Sequence, residues 1–254
     1  MITDLRQMDE PLITGLLLSS LINLFLLGLG SVFVVRRGGL NYVIRKINLW
    51  QTYKSRGTAM YDSPFYRDKK SHFETLPKID RKIMFLGDSL TDLCEWAEIL
   101  KDDQIINRGI CGDTTDGILN RINNIIESKP KKLFFMIGIN DLNQGVSVEN
   151  IVENYTLILE AFKNQIPVTK VFIQSLLPVN NQLRSNSEVN KKVIDLNARI
   201  KELAQTFSFQ YIDLFTAFLD KDNQLDAQYT SDGVHLNGQG YLIWKEIIEK
   251  DVVN

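Results

Sequence analysis

Ile83-Met84-Phe85-Leu86-Gly87-Asp88-Ser89 is the stretch on which the fold turns. Its first four residues are apolar without a break. A strand covered on both faces reads that way, whereas a half-exposed strand alternates. Glycine, aspartate and serine follow at once, where a helix is about to start. Four further runs suit strands, at 104–107, 133–137, 171–174 and 211–214. Between and after them lie apolar residues at helical spacing: Ile118, Leu119, Ile122, Ile125 and Ile126, then Val148, Ile151, Val152, Tyr155, Ile158, Leu159 and Phe162. Val189, Val193, Leu196, Ile200 and Leu203 mark a third helix, and Tyr241, Trp244 and Ile248 a last one. Strands alternating with helices imply right-handed crossovers and a five-stranded parallel sheet with helices on both faces. Pro130 and Pro167 fall between helix and strand, where a helix has to stop. Residues 57–80 read as a connecting segment with modest structure.

Sites in such folds collect at the carboxyl ends of the strands. Polar residues cluster there in this chain. Gly87-Asp88-Ser89 follows the first run, Gly109-Ile110-Cys111-Gly112-Asp113-Thr114 the second and Gly138-Ile139-Asn140-Asp141 the third. Ser231-Asp232-Gly233-Val234-His235 follows the fifth after a longer loop. A hydroxyl nucleophile is weak until a base takes its proton. Ser89 would project at the rim of the sheet, although a serine there also suits a helix cap. Only two histidines occur, His72 and His235. His72 lies ahead of the first strand and reads as structural or exposed. Asp232 stands three residues before His235, so on one turn the two share a side. The carboxylate can then hold one ring nitrogen and leave the other for Ser89, the arrangement of a catalytic triad. Ester hydrolysis also needs donors for an oxyanion. The N–H of Gly112, the N–H of Ser89 and the side-chain amide of Asn140 are the candidates, each of which could singly be a turn or cap residue.

The bulk numbers narrow the partners. The chain has 254 residues, 44% hydrophobic, with a formal net charge of -2. That length suits one domain with an appendage, and the weakly acidic balance exerts no pull towards nucleic acid. Two cysteines, Cys94 and Cys111, cannot make a disulfide framework. There is no HExxH and no GxxxxGK[ST] loop, and two distant histidines do not suit a zinc site. Neither a metal nor another cofactor is called for. Oligomeric state is not written in any pattern of the sequence.

The N-terminus departs from this average. From 12 to 35 no residue is charged, a run of roughly 24 residues, or about 36 Å as a helix, long enough for a transmembrane span. A buried core helix and a cleaved signal peptide are the alternatives, but Asp4, Asp9 and Glu10 precede the run where a signal peptide wants positive charge. Arg36, Arg37, Arg45, Lys46, Lys54 and Arg56 follow it. Basic flanks tend to stay cytoplasmic, which would put the C-terminal part on the cytoplasmic side of a single-pass membrane anchor. Leu40, Val43, Ile44, Ile47 and Trp50 recur at helical spacing, as in a helix lying on anionic headgroups or one packed on the following domain.

Taken together, the polar blocks resemble the SGNH, or GDSL-type, hydrolases, in order and spacing across 81–250. The blocks are Phe85-Leu86-Gly87-Asp88-Ser89-Leu90-Thr91, then Asn107-Arg108-Gly109-Ile110-Cys111-Gly112-Asp113-Thr114-Thr115, then Gly138-Ile139-Asn140-Asp141, then Asp232-Gly233-Val234-His235-Leu236 with Gly240-Tyr241. The resemblance implies a flavodoxin-like three-layer α/β/α sandwich. It implies Ser89 as nucleophile, Gly112 and Asn140 as oxyanion donors and an Asp232–His235 pair as base. The second block and Leu177-Pro178 look nearest to the branch of platelet-activating-factor acetylhydrolase catalytic subunits and sialate O-acetylesterase-like proteins, which often removes short acyl groups. Cys111 departs from that branch, where a glycine or another small residue is common, and would narrow the pocket or add a thiol. The chain then divides into a membrane anchor at 1–38, a basic juxtamembrane helix and linker at 39–80 and a hydrolase domain at 81–254. The function expected is removal of an acetyl-like group from a carbohydrate or lipid alcohol. A lysophospholipase, a thioesterase, an acyltransferase on the same acyl-enzyme, or a non-catalytic anchored binding domain are the rivals. Trp96, Leu177 and Val234 are candidates to line the acyl pocket, with core packing as the plainer role.

Overall fold

The computed structural model describes residues 63–77, 82–184 and 189–253, together with residues 19, 23 and 39. Apart from those three positions, the apolar run 12–35 and the basic segment after it lie outside the described residues. Among the described residues no helix is long and apolar enough to cross a membrane. The chain divides into two compact units, Met1–Ala59 and Met60–Asn254, and the second carries the sheet.

Five strands form that sheet: β1 (Ile83–Gly87), β2 (Ile105–Gly109), β3 (Lys132–Met136), β4 (Lys170–Gln174) and β5 (Gln210–Ile212). All neighbours are parallel, in the order β2-β1-β3-β4-β5. That is the doubly wound order of a flavodoxin-like sheet, in which the chain leaves β1 to one side and returns across it to β3. The reversal leaves a crevice at the carboxyl end of β1, where Ser89 sits.

The helices form the outer layers. They are α1 (Pro64–Thr75), α2 (Ser89–Asp92), α3 (Trp96–Ile99), α4 (Thr115–Glu127), α5 (Ile139–Asn143), α6 (Val148–Gln165), α7 (Val189–Phe207) and α8 (Gly238–Val253). Side chains alternate along each strand, so the sheet feeds two cores. Met84, Leu86, Leu133 and Phe135 pack with α4, α6 and α7 on one face. Phe85, Phe134 and Phe172 pack with Trp96 of α3 and with Tyr241 and Trp244 of α8 on the other. Phe85, Phe134 and Phe172 occupy one register row across β1, β3 and β4. Their rings stack at centroid distances of 4.9 and 4.5 Å, and Trp96 caps the row 4.2 Å from Phe85. Such aromatic pairs contribute about 0.5–1.5 kcal/mol each beyond their burial.

Residues 57–80, expected to have modest structure, contain α1. Ser63 caps it by accepting from the Tyr66 N–H at 3.1 Å, and Pro64 opens its first turn. Tyr66 and Phe73 are its buried residues. The Tyr66 hydroxyl donates to Gly117 O at 2.7 Å, and the Arg108 guanidinium lies 4.7 Å from the Phe73 ring centroid. With two large anchors seven residues apart and charged residues between them, α1 shows no continuous apolar stripe.

Candidate active site

Ser89 is the first residue of α2, one step past β1. Asp88 caps that turn, its Oδ1 accepting the Leu90 N–H at 3.0 Å. The backbone of α2 is pressed onto β2: a Cβ on Gly109 would stand 2.2 Å from the Asp92 nitrogen, so only glycine fits there. Asn107 secures the turn from below. Its amide donates to the carbonyls of Thr91, Cys94 and Asp92 at 2.8, 3.1 and 3.2 Å, and its Oδ1 accepts Gly109 N–H at 2.8 Å.

His235 comes from the far end of the chain, in the loop that precedes α8. Asp232 and His235 do not share a helical turn as the spacing suggests. They belong to a loop in which Asp232 Oδ1 accepts the N–H groups of Val234 and His235 at 2.9 and 2.8 Å. That leaves Oδ2, which stands 2.6 Å from His235 Nδ1. On the other side of the ring, Nε2 stands 3.0 Å from Ser89 Oγ. With the Nδ1 proton directed at the carboxylate, Nε2 is free to accept from the serine hydroxyl. Burial pulls the Asp232 carboxyl upward, but the His235 ring and the two backbone N–H groups outweigh it and hold its pKa down to about 2. Asp232 is therefore an anion at neutral pH.

Gly112 lies in the loop after β2 with φ at 79°, a left-handed conformation open to glycine. Two anchors hold this loop: Ile110 N–H donates to Gly87 O at 3.1 Å, and Cys111 N–H to Asp92 Oδ2 at 3.1 Å. Asp92 Oδ1 in turn takes Lys69 of α1 at 2.8 Å. The N–H groups of Ser89 and Gly112 meet no acceptor among the described residues. Asn140 spends one amide hydrogen on Asp113 O at 2.9 Å and keeps the other. The Cys111 thiol is half-buried, and burial with a bond to Asp92 pushes it up to about 12, far from a reactive thiolate.

Beneath the site lie three buried carboxylates. Asp113 pairs with Arg121 at 2.8 Å, and Arg121 also donates to Gly87 O at 3.2 Å, tying β1 to α4. Asp141 accepts the Thr115 hydroxyl at 2.5 Å and its N–H. Asp88 Oδ2 has no partner among the described residues. Burial lifts Asp88 and Asp141 to about 7, and lifts Asp113 to about 6 against the pull of Arg121.

Of the two roles open to the candidate pocket residues, the structure gives them the core. Trp96, Leu177 and Val234 are 1%, 2% and 7% exposed. Trp96 stacks on Phe85 and donates from Nε1 to Thr91 O at 2.9 Å. All three are core side chains with little or no surface for an acyl group, so the plainer role holds. His72 is exposed in the last turn of α1. Asn107, Asp92 and Arg121 support the site without having been singled out. A polar residue in a strand, or an arginine on the apolar face of α4 between Ile118 and Ile125, is the signal that could have found them.

A family model described as GDSL-like lipase/acylhydrolase matches residues 85–243, every segment of this site included. The chain belongs to the GDSL-like lipase/acylhydrolase family. Among similar proteins, the platelet-activating factor acetylhydrolase IB subunit alpha2 of Rattus norvegicus is 28% identical over 166 residues, 63% of this chain and 70% of the relative. The human protein of that description matches to the same extent. A GDSL-like lipase from Bacteroides thetaiotaomicron, solved as a crystal structure, superposes with a TM-score of 0.65 at 25% identity, covering 74% of this chain and 97% of that one. An acetylxylan esterase from Geobacillus stearothermophilus shares the fold at a TM-score of 0.58 and 20% identity, over 69% and 96% of the two chains. This acylhydrolase is a hydrolase acting on ester bonds.

Proposed function

We propose that the chain is a serine carboxylic-ester hydrolase that removes a short, acetyl-like group through an acyl-enzyme on Ser89. The observation that carries this is the contact of Ser89 Oγ with His235 Nε2 at 3.0 Å, backed by Asp232 at 2.6 Å. His235 takes the hydroxyl proton as Oγ attacks the ester carbonyl. The oxyanion meets the free N–H groups of Ser89 and Gly112 and the remaining amide hydrogen of Asn140. His235 gives its proton to the departing alcohol, and the acyl group stays on Oγ. Water, losing a proton to the same ring, then releases the acid, while Asp232 holds the ring and balances its charged form. The short-acyl reading is supported by the acetylhydrolase and acetylxylan esterase names among the similar proteins. Ser89→Ala should lower turnover of p-nitrophenyl acetate by ~10⁴-fold or more and abolish labelling by a fluorophosphonate probe. Undiminished turnover in that variant would overturn the assignment.

The uncharged run at 12–35 and the basic residues after it support a single-pass anchor with the hydrolase on the cytoplasmic side. In sealed inside-out vesicles, protease added outside should then digest the C-terminal part. Protection there, with digestion in right-side-out vesicles, would reverse the orientation.

A further inference from the structure

The Gly112 N–H belongs to the peptide that joins Cys111 to Gly112, so its direction follows the backbone on either side. After it, Asp113 is fixed by Arg121 at 2.8 Å and by the Asn140 amide at 2.9 Å. Before it, two bonds tie the loop down among the described residues: Ile110 N–H to Gly87 O and Cys111 N–H to Asp92 Oδ2, both at 3.1 Å. The first runs from backbone to backbone and fixes the root of the loop. The second ends on a side chain and lies one residue from the donor. Asp92 closes α2, the turn that Ser89 opens. Its carboxylate thus joins the element of the nucleophile to the loop of the oxyanion donor. Oδ2 holds Cys111, and Oδ1 accepts from the Lys69 ammonium at 2.8 Å. The Asp92 side chain is only 10% exposed.

Lys69 stands on α1, and its ammonium also lies 5.6 Å from the ring centroid of Phe73, one turn further along. The helix that Tyr66 and Phe73 dock therefore carries this charge to Asp92. With Oδ1 engaged by the ammonium, the carboxylate is kept from turning and Oδ2 stays on the Cys111 N–H. A partly exposed ion pair of this kind adds little to stability. Its effect on rate can be larger, because a displacement of about 1 Å in a reacting arrangement costs up to ~10²-fold. Resting on the ester-hydrolase reading above, we infer that Lys69 and Asp92 are positioning residues that brace the Gly112 N–H in the oxyanion site. The helix α1 thereby belongs to the catalytic apparatus, although it precedes residue 85, where the family match begins. Neither side chain is itself an oxyanion donor. They act through Gly112, so they count when the carbonyl oxygen becomes charged and hardly at all on the neutral ester.

The test is steady-state hydrolysis of p-nitrophenyl acetate by the full chain, with turnover counted per serine labelled to completion by a fluorophosphonate probe. Lys69→Met should lower kcat and kcat/KM together by ~10-fold, with KM within about 2-fold of wild type. Lys69→Arg should restore most of the rate. Asp92→Asn should lose ~10- to 100-fold, and Lys69→Met added to it should cost little more, because both substitutions cut one chain of contacts. Lys70→Met is the control. Lys70 is the next residue of α1 and donates to Asn120 of α4 at 2.8 Å, so its loss loosens the helix without touching Asp92 and should leave kcat unchanged. An unchanged kcat in Lys69→Met, a loss confined to KM, an equal loss in Lys70→Met, or fully independent losses in the double variant would each overturn the brace, and Ser89-dependent turnover by wild type would keep the hydrolase reading standing. Wild type without Ser89-dependent turnover would remove both.

Discussion

At the scale of single residues, the site rests on backbone groups that have been left free and on side chains committed elsewhere. Asn140 shows both conditions, with one amide hydrogen on Asp113 O and one to spare. Asn140→Ala should therefore lower kcat by ~10²–10³-fold with a smaller effect on KM, because the donor matters most once charge develops on the carbonyl oxygen. Steady-state kinetics with p-nitrophenyl acetate reads this directly, and an unchanged kcat would remove Asn140 from the oxyanion site. The first three polar blocks were legible in the sequence because each directly follows a strand run, whereas the block with Asp232 and His235 follows β5 only after a longer loop. The supporting residues were not legible there. Asn107 holds three carbonyls of a turn 13 to 16 residues earlier, and that closeness exists only after β1 and β2 have paired. For Trp96 the sequence leaves pocket and core both open for the same reason: nothing in its local sequence reveals that Phe85 and Trp244 enclose it.

At the scale of elements, the strands could be read because a sheet covered on both faces demands uninterrupted apolar runs. The bounds differ most at β2, which runs on to Gly109, and at the last strand. Positions 211–214 suggested a strand, but β5 ends at Ile212, because Ser175 Oγ draws the N–H groups of Leu214 and Phe215 out of the ladder at 2.9 and 2.8 Å. The helix α1 does not stand out in the sequence because it buries two side chains, Tyr66 and Phe73, rather than an apolar stripe. Tyr66 is 3% exposed and bonded to the carbonyl of a helical glycine. Tyr66→Ala should destabilise the domain by about 3 kcal/mol, and Tyr66→Phe by about 1 kcal/mol through the abandoned carbonyl. Urea denaturation of the full chain would measure both. Equal losses would show that the hydroxyl, not the ring, does the anchoring.

At the scale of the whole molecule, the three buried carboxylates make stability depend on pH in an unusual sense. Folding raises Asp88 and Asp141 from 3.8 to about 7 and Asp113 to about 6. Between those limits the folded chain keeps protons that the unfolded chain releases. Stability from these groups is thus full below pH about 4, falls as pH rises and levels off above about 7. Asp232, with its pKa lowered, acts oppositely, but only as the pH drops from about 4 towards 2. Asp88→Asn keeps the acceptor for Leu90 N–H and removes the titration. It should gain on the order of 3 kcal/mol at pH 7.5 and show a smaller difference between pH 5 and 7.5 than wild type. Chemical denaturation at the two values checks this, and an unaltered difference would show that Asp88 is not the group responsible.

Ser89 and His235 are 146 residues apart along the chain. During synthesis the nucleophile is therefore made well before its base, and a chain that stops short of His235 holds a serine with no histidine to take its proton. The hydroxyl gains its reactivity only when the loop before α8 closes over the finished sheet. Hydrolytic competence thereby depends on the segment that carries His235, and a fragment that ends before it should lose most of its turnover.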